Sequence, residues 1–263
     1  MIIIGEKLNS SIPAMYEAMK QGDNEHITKI TKAQIDAGAD YIDVNTALFD
    51  DEIEKMRVTL DLILPLKPAG ISVDSTNPNA IESALKRLDG TKTLINSISL
   101  QKSRLDGMLP LIREYRPGVV ALPFDDTGSP KTAKDRVENA DRLIDLLVKE
   151  GTGIENIYLD IVAETLGSEF ESGREALTAA AVLREKYPAL HLSCGLSNVS
   201  FGLPKRKYLN IAFLTAAITM GLDTAIMDIT SPDMQMALKA ALLVNGQDEY
   251  CVEYITAYRE LFA

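Results

Sequence analysis

The stretch that decides the fold is GISVDSTNP, residues 70–78. Gly70 lets a preceding helix end and the chain reverse. Ile71–Asp74 reads as a short strand of the kind that is covered on both faces in a parallel sheet. Asn77 then supplies a capping side chain, and Pro78 suits the first turn of a helix. Helix end, strand, polar turn and helix start follow one another within a single phrase.

The phrase repeats along the chain. Further strands are predicted at Ile2–Gly5, Tyr41–Asn45, Thr93–Asn96, Val119–Pro123, Ile157–Ile161, His191–Gly195 and Thr224–Asp228. Gly38, Gly118, Gly153 and Gly221 precede strands as Gly70 does, and Ser231-Pro232 repeats the capping signal. Helical periods lie between. One face carries Ile53, Met56, Leu60, Ile63 and Leu64, a second Leu105, Met108, Leu109 and Ile112, and a third Val137, Ala140, Ile144, Leu147 and Val148. Eight βα units in one series predict an α/β fold, a (β/α)8 TIM barrel, as a single domain over residues 1–263. The segment Gln247–Ala263 is expected to close it as a C-terminal helix. An open doubly wound sheet is the competing architecture.

Composition narrows the function. The net charge of -11 repels polyanions, and the one dense basic run, Lys205-Arg206-Lys207, is too small for a nucleic-acid face. The chain has no apolar run long enough to span a membrane and no signal-peptide pattern at its start. Cys194 and Cys251 have neither metal-site nor disulfide spacing, so a reducing cytoplasm is the expected setting. With only two histidines, His26 and His191, Ser-His-Asp chemistry and multi-histidine metal sites are nearly excluded, and no bound metal is expected.

In a barrel of this kind the active site lies at the C-terminal ends of the strands. Those ends read Glu6-Lys7-Leu8-Asn9, Asp43-Val44-Asn45, Asp74-Ser75-Thr76-Asn77, Asn96-Ser97, Asp160, Gly195-Leu196-Ser197-Asn198 and Asp228. They form a ring of carboxylates and amides with almost no cation. Such groups suit a planar heterocycle with ring N–H and amino groups better than an isolated phosphate. Asp74 and Asn96 could equally serve as turn or cap residues. Asp160 lies between apolar neighbours, so it is expected to be buried and to need partners. Asp228 reads as structural, and Cys194 as a small core residue. The basic run follows Pro204 near a helix N-terminus, where the dipole disfavours cations, so one of the three is expected to face an anionic group.

The strand-end motifs together carry a resemblance. IIIGEKLN at 2–9, DVN at 43–45, DSTN at 74–77, INS at 95–97, YLD at 158–160 and GLSNVSFGLP at 195–204 resemble the pterin-binding methyltransferases that exchange a methyl group between tetrahydrofolate and a corrinoid protein. The resemblance implies a homodimeric barrel with tetrahydrofolate or 5-methyltetrahydrofolate as substrate in its mouth. It implies that Asp74, Asn96 and Asp160 hold the pterin ring, with Glu6, Gly195 and Ser197 among the binding residues. Asn198 would approach nitrogen 5 as the catalytic residue, and Arg206 would stand near the p-aminobenzoyl-glutamate side or the pocket rim. The corrinoid (cobalamin) would be carried by a partner protein, since no corrinoid-binding histidine motif is present. Both directions of transfer use one site, and transfer from methylcorrinoid to tetrahydrofolate, as in demethylation pathways, is preferred. Phe201 departs from the acetogenic members, which tend to carry a polar residue there, and is closer to the folate module of methionine synthase.

An amide suits that chemistry. Methyl transfer from a tertiary amine needs protonation or strong hydrogen bonding at nitrogen 5, and the reverse needs its lone pair free. Asn can donate or accept without the desolvation cost of a charge. Three other readings compete. A dihydropteroate synthase expels diphosphate and resembles this chain in fold, but its Ser-Arg-Lys motif is replaced here by Ser197-Asn198-Val199. A non-catalytic folate-binding subunit would keep the ring without turnover. A metal-dependent aldolase or lyase would use the carboxylates to hold Mg²⁺ or Mn²⁺.

Overall fold

The computed structural model describes residues 1–262. Eight strands form one parallel sheet: β1 (Ile2–Asn9), β2 (Tyr41–Asn45), β3 (Ile71–Asp74), β4 (Thr93–Ser99), β5 (Gly118–Leu122), β6 (Ile157–Asp160), β7 (His191–Ser193) and β8 (Thr224–Met227). From β1 to β7 each strand pairs with the next in sequence, and β8 pairs with β1. The β7–β8 seam is closed by a bridge between Gly195 and Ile226, by Ile226 N–H donating to the Cys194 carbonyl at 2.9 Å, and by Asp223 N–H donating to the Leu192 carbonyl at 3.2 Å. The result is the expected (β/α)8 barrel. An open sheet would leave both edge strands unpaired.

The helices α1 (Pro13–Gln21), α2 (Asn24–Asp36), α3 (Glu52–Ile63), α4 (Pro78–Arg87), α5 (Lys102–Tyr115), α6 (Ala133–Lys149), α7 (Ser172–Lys186), α8 (Arg206–Thr219) and α9 (Pro232–Val244) surround the sheet. The closing helix is shorter than expected. After a 3-10 turn at Glu249–Cys251, α10 covers Val252–Phe262, and residue 263 of the expected segment lies outside the described residues. Among the described residues no helix is long and apolar enough to cross a membrane.

The predicted helix faces are buried except at their edges. Met56, Leu60 and Ile63 of α3 and Ala140, Ile144 and Leu147 of α6 enter the core, while Ile53 and Val148 are exposed. Asn77 caps α4 by accepting from the Asn79 N–H at 3.0 Å, with Pro78 at the first helical position as the sequence implied. The glycine signals divide. Gly38 and Gly221 do adopt left-handed backbone, at φ 87 and 98. Gly70 does not; a Cβ there would stand 2.6 Å from the Tyr41 ring, so close packing rather than a turn requires the glycine.

The pleat explains where the polar residues go. Side chains two apart on a strand share a face. The lumen is filled low down by Ile4, Tyr41, Leu94, Val120 and Tyr158, with Ile2 and Ile226 against them. Two residues further along these strands stand Glu6, Asp43, Asn96, Leu122, Asp160 and Asp228. The apolar plug therefore forms the floor of a polar layer, and the polar layer opens at the C-terminal mouth.

Candidate active site

Register brings the first group together. Asn45 of β2 pairs with Asp74 of β3, which pairs with Asn96 of β4. Asn45 Nδ2 donates to Asp74 Oδ2 at 2.9 Å. One layer deeper, Asp43 is 2% exposed and accepts from Ser72 Oγ at 2.6 Å and from Asn96 Nδ2 at 3.2 Å. The two carboxylates thus each hold an amide from another strand, Asp74 that of Asn45 from adjacent β2 and Asp43 that of Asn96 from β4, across β3. Burial pushes the Asp74 carboxyl from the ordinary 3.8 up to about 6, against the Asn45 hydrogen bond and the Arg104 charge. Asp43 is pushed up well above its ordinary value by burial and by the neighbouring Asp74 charge.

The second group stands across the mouth. Asp160 ends β6 and is 7% exposed. Its Oδ1 accepts from the Val162 N–H at 2.7 Å and its Oδ2 from the Gly195 N–H at 3.1 Å. Both bonds favour the charged form, yet burial prevails and raises the carboxyl to about 6. Beyond Gly195, a 3-10 turn at Leu196–Ser200 carries Ser197 and Asn198. Ser197 Oγ donates to Glu6 Oε1 at 2.7 Å, tying β1 to the seventh-strand turn. Burial raises the Glu6 carboxyl as well, helped by the Asp228 charge. Asp228 pairs with Lys7 at 2.5 Å and accepts from Thr230, a structural role consistent with the sequence reading.

Asn198 differs from its neighbours. Its side chain is exposed, whereas Leu196, Val199 and Ser200 are buried. Its Nδ2 lies where a Cβ on Gly195 would come within 2.8 Å, so the absence of a side chain at 195 leaves room for the amide. Asn198 and Asp160 share the lining of a cavity of about 550 Å³ with Leu122, Phe124, Lys131, Val162, Glu164 and Phe201. Asp74 at the end of β3 and Asn96 in the middle of β4 do not line that cavity. The predicted residues therefore fall into two groups on one rim. Asn45, which ties Asp74 to β2, belongs to the strand-end ring but has no binding role of its own in the sequence reading. The spacing of Tyr41, Asp43 and Asn45, two apart on one strand face, is the signal that marks it.

Arg206 does not stand free in the mouth. Its Nη2 donates to the Ser197 carbonyl at 2.7 Å and its Nε to Ser200 Oγ at 3.1 Å, with the guanidinium 5.9 Å from the Phe201 ring centre. It braces the turn that carries Asn198. Lys207 pairs with Asp233 at 2.6 Å.

A family described as pterin binding enzyme matches residues 5–228. The chain belongs to the pterin-binding enzyme family. Among curated relatives, the methylcorrinoid:tetrahydrofolate methyltransferase of Eubacterium limosum is 34% identical over 99% of this chain and 97% of its own. The methionine synthase of Mycobacterium tuberculosis is 30% identical over 86% of this chain, which spans only 20% of that protein. The resemblance carried by the strand-end motifs is therefore met, and this pterin-binding enzyme is of the methyltransferase kind. Solved dihydropteroate synthases share the fold. That of Yersinia pestis with a sulfonamide superposes with a TM-score of 0.70 at 12% identity, covering 93% of this chain and 94% of that one. That of Coxiella burnetii with pteroic acid gives 0.63 at 18% identity, covering 94% and 93%.

Proposed function

We propose that this methyltransferase moves a methyl group between nitrogen 5 of tetrahydrofolate and the cobalt of a corrinoid carried by a separate protein, in the direction from methylcorrinoid to tetrahydrofolate. The observation that carries the reading is the free amide of Asn198 standing beside the anchored carboxylate of Asp160 on the wall of one cavity. On this reading Asp160, Asp74 and Asn96 take the polar edge of the pterin, and Glu6, Ser197 and Gly195 shape the turn beside it. A carboxylate held by two backbone N–H groups still has lone pairs for a ring N–H and an amino group. The near-neutral titration of Asp74 and Asp160 suits them to this, because an incoming donor pair offsets the desolvation that raises them.

Asn198 bears on nitrogen 5. As the methyl passes from the corrinoid, whose cobalt keeps the bonding pair as Co(I), Asn198 accepts from the N–H of nitrogen 5 or turns aside and leaves the lone pair free to form the new bond, and the nitrogen 5 proton then passes to water. In the reverse direction its N–H supports the leaving amine. Asn198 and Phe201 are exposed on the cavity wall, as access for a protein-borne second substrate requires. The expected assembly is a homodimer working in the cytoplasm, with no metal ion of its own.

The dihydropteroate synthase reading has less support. Its diphosphate would need cations at the seventh-strand turn, where Asn198 and Val199 stand and Arg206 is engaged with the Ser197 carbonyl.

The test is an anaerobic spectral assay run both ways, with methylcobalamin plus tetrahydrofolate and with Co(I) cobalamin plus 5-methyltetrahydrofolate. Enzyme-dependent interconversion of the two cobalt spectra is expected. Calorimetry without binding of either folate, together with unchanged spectra, would refute the proposal.

A further inference from the structure

Arg136 heads the largest side chains that the protein buries completely, at 1% exposure. It projects from α6, and every hydrogen bond it makes among the described residues goes to a carbonyl or a hydroxyl, none to a carboxylate. Nε donates to the Ile161 and Val162 carbonyls, each at 3.2 Å. Nη1 donates to the Lys131 and Thr132 carbonyls at 3.0 and 3.2 Å, and Nη2 to the Val162 carbonyl at 2.8 Å and Ser172 Oγ at 3.3 Å. Burying a guanidinium without a directly bonded anion is costly. Helix α6 and its Thr132 capping box do not need it.

What the guanidinium gathers is the loop after β6. The peptide joining Ile161 to Val162 lies between two charges. Its carbonyl accepts from Arg136, and its N–H donates to Asp160 Oδ1 at 2.7 Å. Val162 is held at φ 52, left-handed backbone that costs a β-branched residue about 1–3 kcal/mol. Two Arg136 nitrogens on its carbonyl keep it there. Ser172 Oγ, which accepts from Arg136, also accepts from the Glu164 N–H at 2.9 Å. The same guanidinium thus fixes the wall that Val162 and Glu164 give to the cavity.

We propose that Arg136 is a positioning residue for pterin binding: through the Ile161–Val162 peptide it sets the orientation and ionisation of Asp160. The proposal rests on the reading of Asp160 as a pterin ligand. The groups facing Asp160 are few. Arg136 reaches it from α6 and the Cys194 thiol from β7, while β5 offers only apolar side chains there. Glu164, Asp135 and Glu175 lie around Arg136, and Lys131 stands 3.5 Å from Glu164. Arg136 and the Val162 N–H both favour the Asp160 carboxylate. Loss of Arg136 therefore moves the Asp160 titration to higher pH.

The test uses Arg136→Gln and Arg136→Met, with thermal unfolding to establish that each folds; Arg136→Gln, which keeps polar donors without the charge, carries the test where the Met variant does not. The Asp160 carboxyl is followed by carbon-detected NMR from pH 4 to 9 in the free protein. Tetrahydrofolate binding is followed by calorimetry from pH 5 to 8. The expected result is an Asp160 midpoint about one pH unit higher, a tenfold change in proton affinity. Folate affinity at pH 6, where the ionised fraction of Asp160 falls from about one half to about one eleventh, is expected to drop about fivefold, and Asp160→Asn in the same background to remove the pH dependence of that loss. A folded variant that melts earlier but leaves the Asp160 midpoint unchanged would overturn the proposal. A moved midpoint in a protein whose wild type binds no folate would instead refute the function proposed above and leave the link from Arg136 to Asp160 standing.

Discussion

Asp74→Asn is expected to stabilise the free protein at pH 8 while weakening its hold on the pterin. Below about pH 4 the Asp74 carboxyl is protonated in both folded and unfolded chains, and the substitution changes little. As pH rises from 3.8 to about 6, the unfolded chain ionises Asp74 while the folded chain keeps the proton, so folded stability is lost. Above about pH 6 both forms are ionised and the loss is constant. The gap between 3.8 and about 6 corresponds to about 3 kcal/mol. Asp74 keeps some contact with solvent, and an asparagine oxygen still accepts from Asn45, so about 1–3 kcal/mol should be recovered. Relief of the Asp43 carboxyl, which the Asp74 charge also raises, acts in the same direction. For a chain of 263 residues this amounts to about 2–5 °C in Tm. The assay is urea unfolding of both proteins from pH 4 to 8, beside folate calorimetry at pH 7. The two stability curves should meet near pH 4, separate up to pH 6 and run parallel above. A variant less stable than wild type at pH 8, or a difference that does not change with pH, would refute the reasoning.

Asn198→Ala is expected to lower the methyl-transfer rate about 10²-fold with little change in folate affinity, and an equal loss in both would make Asn198 a binding residue only. Gly195→Ala places a Cβ 2.8 Å from Asn198 Nδ2, so it should reproduce that rate loss in a protein with near-native Tm; unaltered kinetics would show that the amide does not occupy this position during transfer. Ser197→Ala removes the hydrogen bond to the buried Glu6 carboxylate. It should cost about 1–3 kcal/mol at pH 8, and the cost should shrink as the pH falls and Glu6, raised by burial, takes up its proton, as urea unfolding across the pH range would read.

The barrel was legible because each strand is a compact apolar run bounded by a capped helix start. Its details were not legible where the alternation slips. The ladder of β1 with β2 shifts register between Gly5 and Leu8, and that of β4 with β5 between Asn96 and Ile98. Glu6-Lys7 and Ser97 therefore read as residues past a strand end, although both strands continue. Candidates that stand at strand ends, such as Asp160 and Asn198, can be picked out in one dimension. The hydrogen bonds of Asn45 to Asp74 and of Asn96 to Asp43 depend on the registers of β2, β3 and β4 together, which no single strand encodes. Arg136 lay deeper still. It sits on a helix among charged residues, and only the folded loop after β6 reveals that it is buried.

The seam between β7 and β8 gives the molecule an uneven compliance. Elsewhere neighbouring strands pair in ladders, but here β7 has only three residues and its union with β8 rests on a bridge and a few backbone bonds. The turn bearing Asn198 rises directly from that weakest join. Local opening costs least where backbone bonds are few. Amide protons at Gly195 and Ile226 should therefore exchange before those of the β2–β3 ladder. The amide assigned to the moving methyl can then rotate on a yielding support, while the opposite wall keeps Asp74 and Asn96 in fixed register.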